Sequence, residues 1–314
     1  MTIQLICCSH SPLMLKDLPP SQAGDQTAFF DEMARVASAV RAFDPELVVV
    51  FGPDHFNGFF FDLMPPFCIG AAAQAAQDWG IEGGPLRVRA DLAQACVRAL
   101  YQRQIDPAYS HDMRIDHGIS IPLVQLTGSL ARYDSLPIFI NCAGDPRPTL
   151  QRCWEFGEAV GTFLAQTGLR ITFIGSGGLS HDPPTPRLTS SPPDVARRLI
   201  QRHKASTDEL DAREKRVMQA AHDLVEGKGP CMPPKPDWDL QFLDKLCRND
   251  KQALTAITDE ELNRDAGFGG HEVRTWVAAL AAAQQCGDLT LHQRFYRVVP
   301  EWLTGMGIVT SFKD

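Results

Sequence analysis

Four short hydrophobic runs, each followed by polar loop-forming residues, dominate the pattern of the chain. They are nearly continuous in hydrophobicity and rich in Val, Ile and Phe, and they cover Ile3–Cys8, 47–51, 136–140 and 170–174. The segments that follow them are SHSP, GPDH, NCAG and GSGGLSH. Runs of this kind are typical of central strands that are covered on both faces of a sheet. The pattern therefore predicts four buried strands that end in loops.

Apolar residues recur at helical spacing between these runs, which predicts helices that alternate with the strands. The predicted helices cover 29–43, 90–100, 150–165, 210–225 and 272–285. This alternation indicates an α/β fold with a central, mostly parallel or mixed sheet and helices on both faces. The Pro-rich stretches 182–193 and 229–236 are expected to be ordered loops or linkers. Because no second sheet is indicated, we expect a single domain over 1–314.

The composition of the 314 residues, 44% hydrophobic and 22% charged, is that of a globular protein. A net charge of −8 argues against a nucleic-acid partner, and it makes an anionic substrate depend on a local basic site. The nine cysteines include no CxxC pair, which favours reduced thiols in the cytoplasm. No secretory leader is visible, and no apolar run approaches the ~20 residues that cross a bilayer. We therefore expect a cytoplasmic protein without a membrane partner.

Histidines follow three of the predicted strands. His10, His55 and His181 each come after the carboxyl end of a strand, and His117 precedes a helical pattern that begins near Ser120. One histidine at such a position is most often an ordinary loop residue. Three at equivalent positions indicate a shared site, because ligands bind at the carboxyl edge of open α/β sheets.

Histidines that converge on one edge of a sheet suit a metal ion. Two histidines with one carboxylate and open positions are the ligand set of non-haem Fe(II) oxygenases. Three histidines with an open position would suit zinc instead. Spacing alone leaves both alternatives open, and the candidate carboxylates are Asp54, Asp116, Asp182 and Glu272. The small residues of GSGGLSH allow close approach to a ligand, although no GK[ST] follows to indicate a phosphate loop.

Five motifs resemble the class III, LigB-type extradiol ring-cleavage dioxygenases. They are SHSP at 9–12, PDHFNGFF at 53–60, DHG at 116–118, GSGGLSH at 175–181 and HEVRTW at 271–276. The resemblance covers nearly the whole chain and weakens at 19–26 and 205–235. It implies a LigB-like fold, a catechol substrate cleaved with O₂, and a homo-oligomer.

The resemblance also implies roles for individual residues. It implies that Fe(II) is bound by His10, His55 and Glu272, and it selects Glu272 over the other carboxylates. A carboxylate at the start of a helix is favoured by the helix dipole whether or not it binds a metal. The resemblance makes His117 and His181 the acid–base pair, a task that suits the near-neutral pKa of histidine. Asp116 is expected to orient its neighbour His117.

The substrate implied by the resemblance is a catechol with a short carboxylate-bearing chain at carbon 3. Examples are 3-(2,3-dihydroxyphenyl)propionate and 2,3-dihydroxycinnamate. Arg297, in FYRVVPEW, is a candidate to bind the substrate carboxylate, and its alternative is an ordinary surface arginine. A zinc-dependent hydrolase and a non-catalytic binding protein on the same fold are the alternative functions. The presence of both His117 and His181 argues against the binding protein.

Overall fold

Eleven strands and ten α-helices form the part of the chain that the computed structural model describes, residues 2–313. The strands are β1 (Ile3–Cys8), β2 (Leu47–Gly52), β3 (Phe67–Gly70), β4 (Ala73–Ala75), β5 (Gly84–Pro85), β6 (Ala108–Ser110), β7 (Met113–Ile115), β8 (Ser135–Ile140), β9 (Ile171–Ser176), β10 (His292–Val299) and β11 (Thr304–Thr310). The helices are α1 (Asp25–Phe43), α2 (Ala90–Gln102), α3 (His117–Thr127), α4 (Leu150–Leu164), α5 (Pro193–Ile200), α6 (Thr207–Val225), α7 (Pro236–Cys247), α8 (Lys251–Thr255), α9 (Asp259–Glu261) and α10 (Val273–Gln284).

Eight strands form one mixed sheet in the order β10-β11-β1-β9-β2-β8-β3-β6. The four central strands β1, β9, β2 and β8 are parallel, whereas β11 runs antiparallel to β1, and β3 antiparallel to β8. The predicted mixed sheet is thereby confirmed. The sequence did not indicate the second, three-stranded sheet β5-β4-β7, whose strands of two or three residues are too short to produce a pattern.

Helices cover both faces of the large sheet, as predicted. Leu5 and Cys7 of β1 pack into a core with α2, α4, α7 and α10. Ile6 and Cys8 point to the opposite face and pack with α1, α3 and α6. This alternation explains why the central strands are continuous hydrophobic runs, since successive side chains enter two different cores. None of the helices in the described residues is both long and apolar enough to span a bilayer.

All four predicted strands and all five predicted helices are present. The helices correspond to α1, α2, α4, α6 and α10. The helical pattern expected near Ser120 begins instead at His117, because the side chain of Asp116 caps α3 by accepting from the N–H of Gly118. Pairing of β1 with β11 joins both ends of the chain in one sheet. The predicted domain 1–314 also includes Met1 and Asp314, which lie outside the described residues.

The buried helix α10 packs closely on α4 and on the carboxyl ends of the central strands. A Cβ added at Gly157 or Gly161 of α4 would lie well inside van der Waals contact with the carbonyl oxygens of Ala278 and Ala282. The hydroxyl of Thr275 donates to the carbonyl of Ser176 at 2.7 Å. These contacts fix the start of α10 at the sheet edge where β9 ends.

Candidate active site

Three histidines meet at one edge of the large sheet because the strands that carry them are parallel neighbours. β1, β9 and β2 lie side by side, and His10, His181 and His55 follow their carboxyl ends. The ring centroids of His10 and His55 are 5.8 Å apart. His117, the first residue of α3, stacks on His55 with a centroid distance of 4.2 Å. The structure thus places all four histidines singled out from the sequence side by side.

Glu272 contacts three of these four histidines. It ends a short 3₁₀ turn that leads directly into α10. Its carboxylate oxygens are 3.1 Å from Nε2 of His55 and 3.7 Å from Nε2 of both His10 and His181. Burial would raise the pKa of Glu272, but the electrostatic interactions with the imidazoles of His10, His181 and His55 outweigh burial and hold that pKa well below its usual range. Glu272 is therefore a carboxylate at the centre of an imidazole cluster.

The glycine-rich loop after β9 wraps around Glu272. The backbone N–H of Gly178 donates to the Glu272 carboxylate at 2.7 Å. A Cβ at Gly177 would lie 2.7 Å from the carbonyl oxygen of Glu272. Because only glycine fits at such a distance, the small residues of this loop allow Glu272 to approach the backbone closely.

The Nδ1 atoms of His10 and His55 each contact a fixed polar partner. Nδ1 of His10 is 3.0 Å from the hydroxyl of Ser176. Nδ1 of His55 is 3.1 Å from Oδ2 of Asp116, which also accepts the backbone N–H of His55 at 2.7 Å. The Nε2 atoms of both rings point instead towards Glu272. Metal-ligating histidines show this arrangement, in which a second contact fixes the orientation of the ring.

The charges around His10 and His55 suit a bound cation. Burial lowers the pKa of His10 to about 3, so its imidazole is neutral and able to ligate. Burial would also lower the pKa of His55, but Asp116 and Glu272 outweigh burial and raise that pKa well above its ordinary value. The two carboxylates attract positive charge to this point, and a divalent cation would supply it in place of a proton.

Two sets of three donor groups share His10 and His55. The first set adds Glu272, which contacts both imidazoles. The second set adds His117, since ring nitrogens of the three histidines lie within 4.8 Å of one another. The first set is the Fe(II) pattern and the second is the zinc pattern. Both sets show that the residues present fit a divalent metal ion.

His117 and His181 each have Nδ1 bound to an acceptor. Nδ1 of His117 is 2.8 Å from Oδ2 of Asp78, and Nδ1 of His181 is 2.8 Å from the carbonyl oxygen of Leu179. An acceptor at Nδ1 fixes the tautomer and leaves Nε2 available for proton transfer. Burial would lower the pKa of His181, but Glu272 outweighs burial and raises it.

The carboxylate that orients His117 is Asp78, whereas the sequence suggested Asp116. Oδ2 of Asp116 is 3.9 Å from Nδ1 of His117, which is beyond hydrogen-bond distance. Asp116 instead holds His55 and caps α3, because the side chains of neighbouring residues diverge at the start of the helix. Asp78 lies between β4 and β5, and sequence reasoning missed it because a single Asp in a loop produces no periodic signal.

The two remaining candidate carboxylates organise loops. Asp54 accepts the backbone N–H groups of residues 57–59 at 3.0–3.1 Å. Burial and the neighbouring charge of Asp116 raise the pKa of Asp54 to about 7. Asp182 accepts the backbone N–H of Phe268 at 3.2 Å. Both residues therefore support the loops that carry the site.

A cavity of about 780 Å³ extends from the histidines and Glu272. Its other walls include residues 183–186, α5 and α6, and three arginines line it: Arg198, Arg213 and Arg216. Arg297, the candidate from the sequence, is not among the lining residues. It lies on β10 with 61% of its side chain exposed, and its Nε is 3.6 Å from a carboxylate oxygen of Asp25.

Comparisons with known proteins identify the family of the chain. The family model described as the catalytic LigB subunit of aromatic ring-opening dioxygenase matches residues 4–307. A relative from Cupriavidus pinatubonensis (strain JMP 134 / LMG 1197) is 45% identical over 305 residues, which cover 97% of this chain and 96% of the relative. A relative from Rhodococcus sp. is 43% identical over 312 residues, which cover 99% of this chain and 98% of the relative. Both are named 2,3-dihydroxyphenylpropionate/2,3-dihydroxicinnamic acid 1,2-dioxygenase.

A third relative, from Photorhabdus laumondii subsp. laumondii, has the same name and is 41% identical over 311 residues. These cover 99% of this chain and 98% of the relative. The family resemblance stated from the sequence motifs is thereby confirmed. The chain belongs to the LigB family of aromatic ring-opening dioxygenases and is an extradiol ring-cleaving enzyme.

Proposed function

We propose that the chain is an Fe(II)-dependent dioxygenase that opens 3-(2,3-dihydroxyphenyl)propionate and 2,3-dihydroxycinnamate with O₂. The observation that carries the proposal is the convergence of His10, His55 and Glu272 with two further histidines at one end of the cavity. The names of the relatives support these two substrates. Cleavage between the carbon that bears the chain and the adjacent hydroxylated carbon gives a product of the 2-hydroxy-6-oxonona-2,4-dienedioate type.

His10, His55 and Glu272 would hold the metal ion. Fe(II) bound there supplies open positions for both catechol oxygens and for O₂, together with redox chemistry that zinc lacks. Ser176 and Asp116 would keep the two imidazoles aligned through their Nδ1 atoms. Such outer contacts are worth about 10–100-fold in metal affinity or activity.

His181 and His117 would move the protons. We assign His181 as the base that takes a proton from a catechol hydroxyl, and His117 as the acid in the later steps. The contact of Nδ1 with Asp78 supports the role of His117, because an acceptor at Nδ1 fixes the orientation of the ring and leaves Nε2 available for proton transfer. Both side chains are almost fully buried and line the cavity, where a bound catechol could reach them.

We also propose a homo-oligomer, as the family resemblance implies. Large apolar side chains stay exposed where the loop before β3 meets α5: Leu63 is 71% and Ile200 is 40% exposed. The two segments are joined by a hydrogen bond from the N–H of Asp62 to the carbonyl of Ile200 at 2.7 Å. Light scattering coupled to size exclusion tests this proposal, and the mass of a single chain would contradict it.

The decisive experiment for the function compares Fe(II) with Zn(II). Metal-free protein is loaded anaerobically with either ion and mixed with 3-(2,3-dihydroxyphenyl)propionate in air-saturated buffer. We expect the Fe(II) form to consume one O₂ per substrate and to yield the ring-opened product, and the Zn(II) form to consume none. Hydrolysis by the Zn(II) form without oxygen uptake in either form would favour the zinc hydrolase. Catechol binding without any turnover would favour a binding protein.

A further inference from the structure

One wall of the cavity, formed by α5 and α6, gathers three arginines. Arg198, Arg213 and Arg216 all line the cavity. Asp208 and Glu209 line the same wall, and Arg198 is neutralised, because its guanidinium is 3.3 Å from carboxylate oxygens of both Asp194 and Glu209. Within the described residues, Arg213 and Arg216 are thus the arginines of this wall that have no carboxylate within hydrogen-bond distance.

Arg213 carries a buried donor that is not satisfied by the described part of the chain. Its side chain is 23% exposed, yet its Nη2 atom is buried and has no hydrogen-bond acceptor among residues 2–313. Oδ2 of Asp78 is 3.7 Å away, beyond hydrogen-bond distance, and already binds Nδ1 of His117. Oδ1 of Asp78 is likewise buried without a hydrogen-bond partner among the described residues, so it does not bind Arg213 either. Because a buried donor without an acceptor is costly, an oxygen of a ligand is the expected partner.

Arg216 lies almost one helical turn beyond Arg213 on α6 and adds a second positive charge to the cavity wall. It is exposed at the rim of the cavity and forms no ion pair within the described residues. Partial burial of its side chain and the neighbouring charges of Arg213 and Arg198 lower its pKa. Cations on one wall of a cavity are stabilised by an anion placed near them.

We infer that Arg213, with Arg216 beside it, binds the side-chain carboxylate of the substrate. The inference rests on the proposed function, which places a catechol with such a chain at the histidines. Arg213 lies next to Asp78, and Asp78 contacts His117, so the arginine is near the end of the cavity where the ring would sit. The chain of the substrate would then extend from the histidines towards α6.

The arginines on the cavity wall also supply the local basic site that an anionic substrate needs in a protein with a net charge of −8. The overall field of the protein disfavours an anionic substrate, so recognition has to come from nearby cations. A planar guanidinium suits this task because it can donate two parallel hydrogen bonds to one carboxylate. Arg297 cannot take this role from its position on β10, since its side chain lies outside the cavity.

The test measures discrimination between an acid and its neutral isostere. We compare kcat/KM for 3-(2,3-dihydroxyphenyl)propionate and for the corresponding amide in wild type, Arg213→Met and Arg213→Lys. Hydrogen bonds to charged groups imply a loss of roughly 10- to 100-fold for the acid in Arg213→Met and little change for the amide. Arg213→Lys should recover part of the loss, because it restores the positive charge but not the planar guanidinium that donates two parallel hydrogen bonds.

A matched control is Lys215→Met on the same helix. Lys215 is exposed and does not line the cavity, so the same change of charge should leave the acid-to-amide ratio at the wild-type value. A wild-type ratio in Arg213→Met would overturn the inference. Equal losses for acid and amide would also overturn it, since Arg213 would then act only through Asp78 and His117. If wild type itself showed no preference for the acid, that result would contradict the proposed substrate rather than the role of Arg213.

A binding measurement separates recognition from chemistry. The probe is 3-phenylpropionate, which has the carboxylate but no hydroxyl groups, titrated into metal-free protein and followed by calorimetry. We expect the Kd to rise by roughly 10- to 100-fold in Arg213→Met and to stay unchanged in Lys215→Met. Equal Kd values in wild type and Arg213→Met would place the carboxylate elsewhere, even if ring cleavage were intact.

Discussion

Asp116 accepts two hydrogen bonds from His55, one from the backbone N–H at 2.7 Å and one from ring Nδ1 at 3.1 Å. Asp116 is itself fully buried and fixed at the start of α3, where it accepts the N–H of Gly118 at 2.9 Å. The imidazole is thus held to a rigid helix terminus, and its Nε2 is directed at Glu272. The imidazole of His55 is therefore held in one orientation by the fold itself.

Asp116→Asn should weaken metal binding by about 10–100-fold, because it removes the negative charge that orients and polarises His55. The helix cap should survive, since Asn is as good an N-cap as Asp. Competition of Fe(II) with a chelator measures the affinity, and circular dichroism checks the fold. Asp112→Asn changes the same charge at an exposed loop position and should bind Fe(II) as wild type does. An unchanged affinity in Asp116→Asn would contradict the role given to this contact.

The two candidate ligand sets predict different metal contents. His10→Ala, His55→Ala and Glu272→Gln should each lose Fe(II), because they remove a ligand from the two-histidine, one-carboxylate set. His117→Ala should keep it. The measurement is iron per chain after anaerobic loading and gel filtration. The opposite result, with iron retained in Glu272→Gln and lost in His117→Ala, would favour the three-histidine set.

The acid–base pair should affect turnover without affecting metal content. His117→Ala and His181→Ala are expected to retain Fe(II) and to lose kcat by ~10²–10⁴-fold, the usual contribution of a positioned proton-transfer group. Asp78→Asn should lower kcat by less than His117→Ala does, since the imidazole remains but loses its orienting carboxylate. His222→Ala, at an exposed position of α6, should turn over at the wild-type rate. Wild-type kcat in either active-site histidine variant would remove that residue from the mechanism.

The parts of the fold that could be predicted from the sequence are those whose burial produces a continuous pattern. The central strands are covered on both faces and therefore appear as uninterrupted apolar runs. β10 and β11 left no such pattern. Most residues of β10 are only half-buried, and β11 contains Gly305 and Gly307, where the side chains of Asp239 and Leu179 pack against the backbone.

The residues of the site also divide into those that a sequence pattern could predict and those that it could not. The strand-end histidines could be predicted to meet, because parallel neighbouring strands bring their carboxyl ends to one edge. Glu272 could not be chosen from spacing, since it is far along the chain and resembles any carboxylate at the start of a helix. Asp78 and Arg213 reach the site through a loop and a helix whose tertiary packing no local pattern encodes.

Asp239 should make the stability of the protein depend on pH. This fully buried carboxylate of α7 accepts the N–H of Ser180 at 2.7 Å and the hydroxyl of Tyr296 at 2.8 Å. Burial raises its pKa to about 6. The folded state then binds the proton more tightly than the unfolded state, so the free energy of unfolding falls as the pH rises from about 4 to about 6. The fall amounts to about 3 kcal/mol, since each pKa unit corresponds to about 1.4 kcal/mol.

Asp239→Asn should remove this dependence. The amide oxygen can still accept the N–H of Ser180, and the amide N–H can donate to the hydroxyl of Tyr296, so the fold should persist. Urea unfolding from pH 4.5 to 8 measures the difference between variant and wild type. Asp237→Asn, exposed on the same helix, should leave the wild-type profile unchanged. Parallel profiles for wild type and Asp239→Asn would show that Asp239 does not titrate in this range.

Gly161→Ala should destabilise the protein and disturb the metal centre together. The added methyl group would overlap the carbonyl oxygen of Ala282 and push α10 away from α4. Overpacking of this kind costs about 1–3 kcal/mol of unfolding free energy. Because Glu272 directly precedes α10, a displaced helix also shifts the carboxylate relative to His10 and His55, and Fe(II) affinity should fall with stability.

Gly287→Ala is the control for this substitution, because its Cβ would lie 3.5 Å from the nearest atom of Ile3, an ordinary contact. It should leave both unfolding and Fe(II) binding near the wild-type values. Loss of stability in Gly161→Ala with unchanged iron affinity would show that the 3₁₀ turn before α10 holds Glu272 independently of the helix. Unchanged stability would mean that α4 and α10 separate without cost, contrary to their close packing. A fall in both quantities would establish that the α4–α10 contact positions the carboxylate.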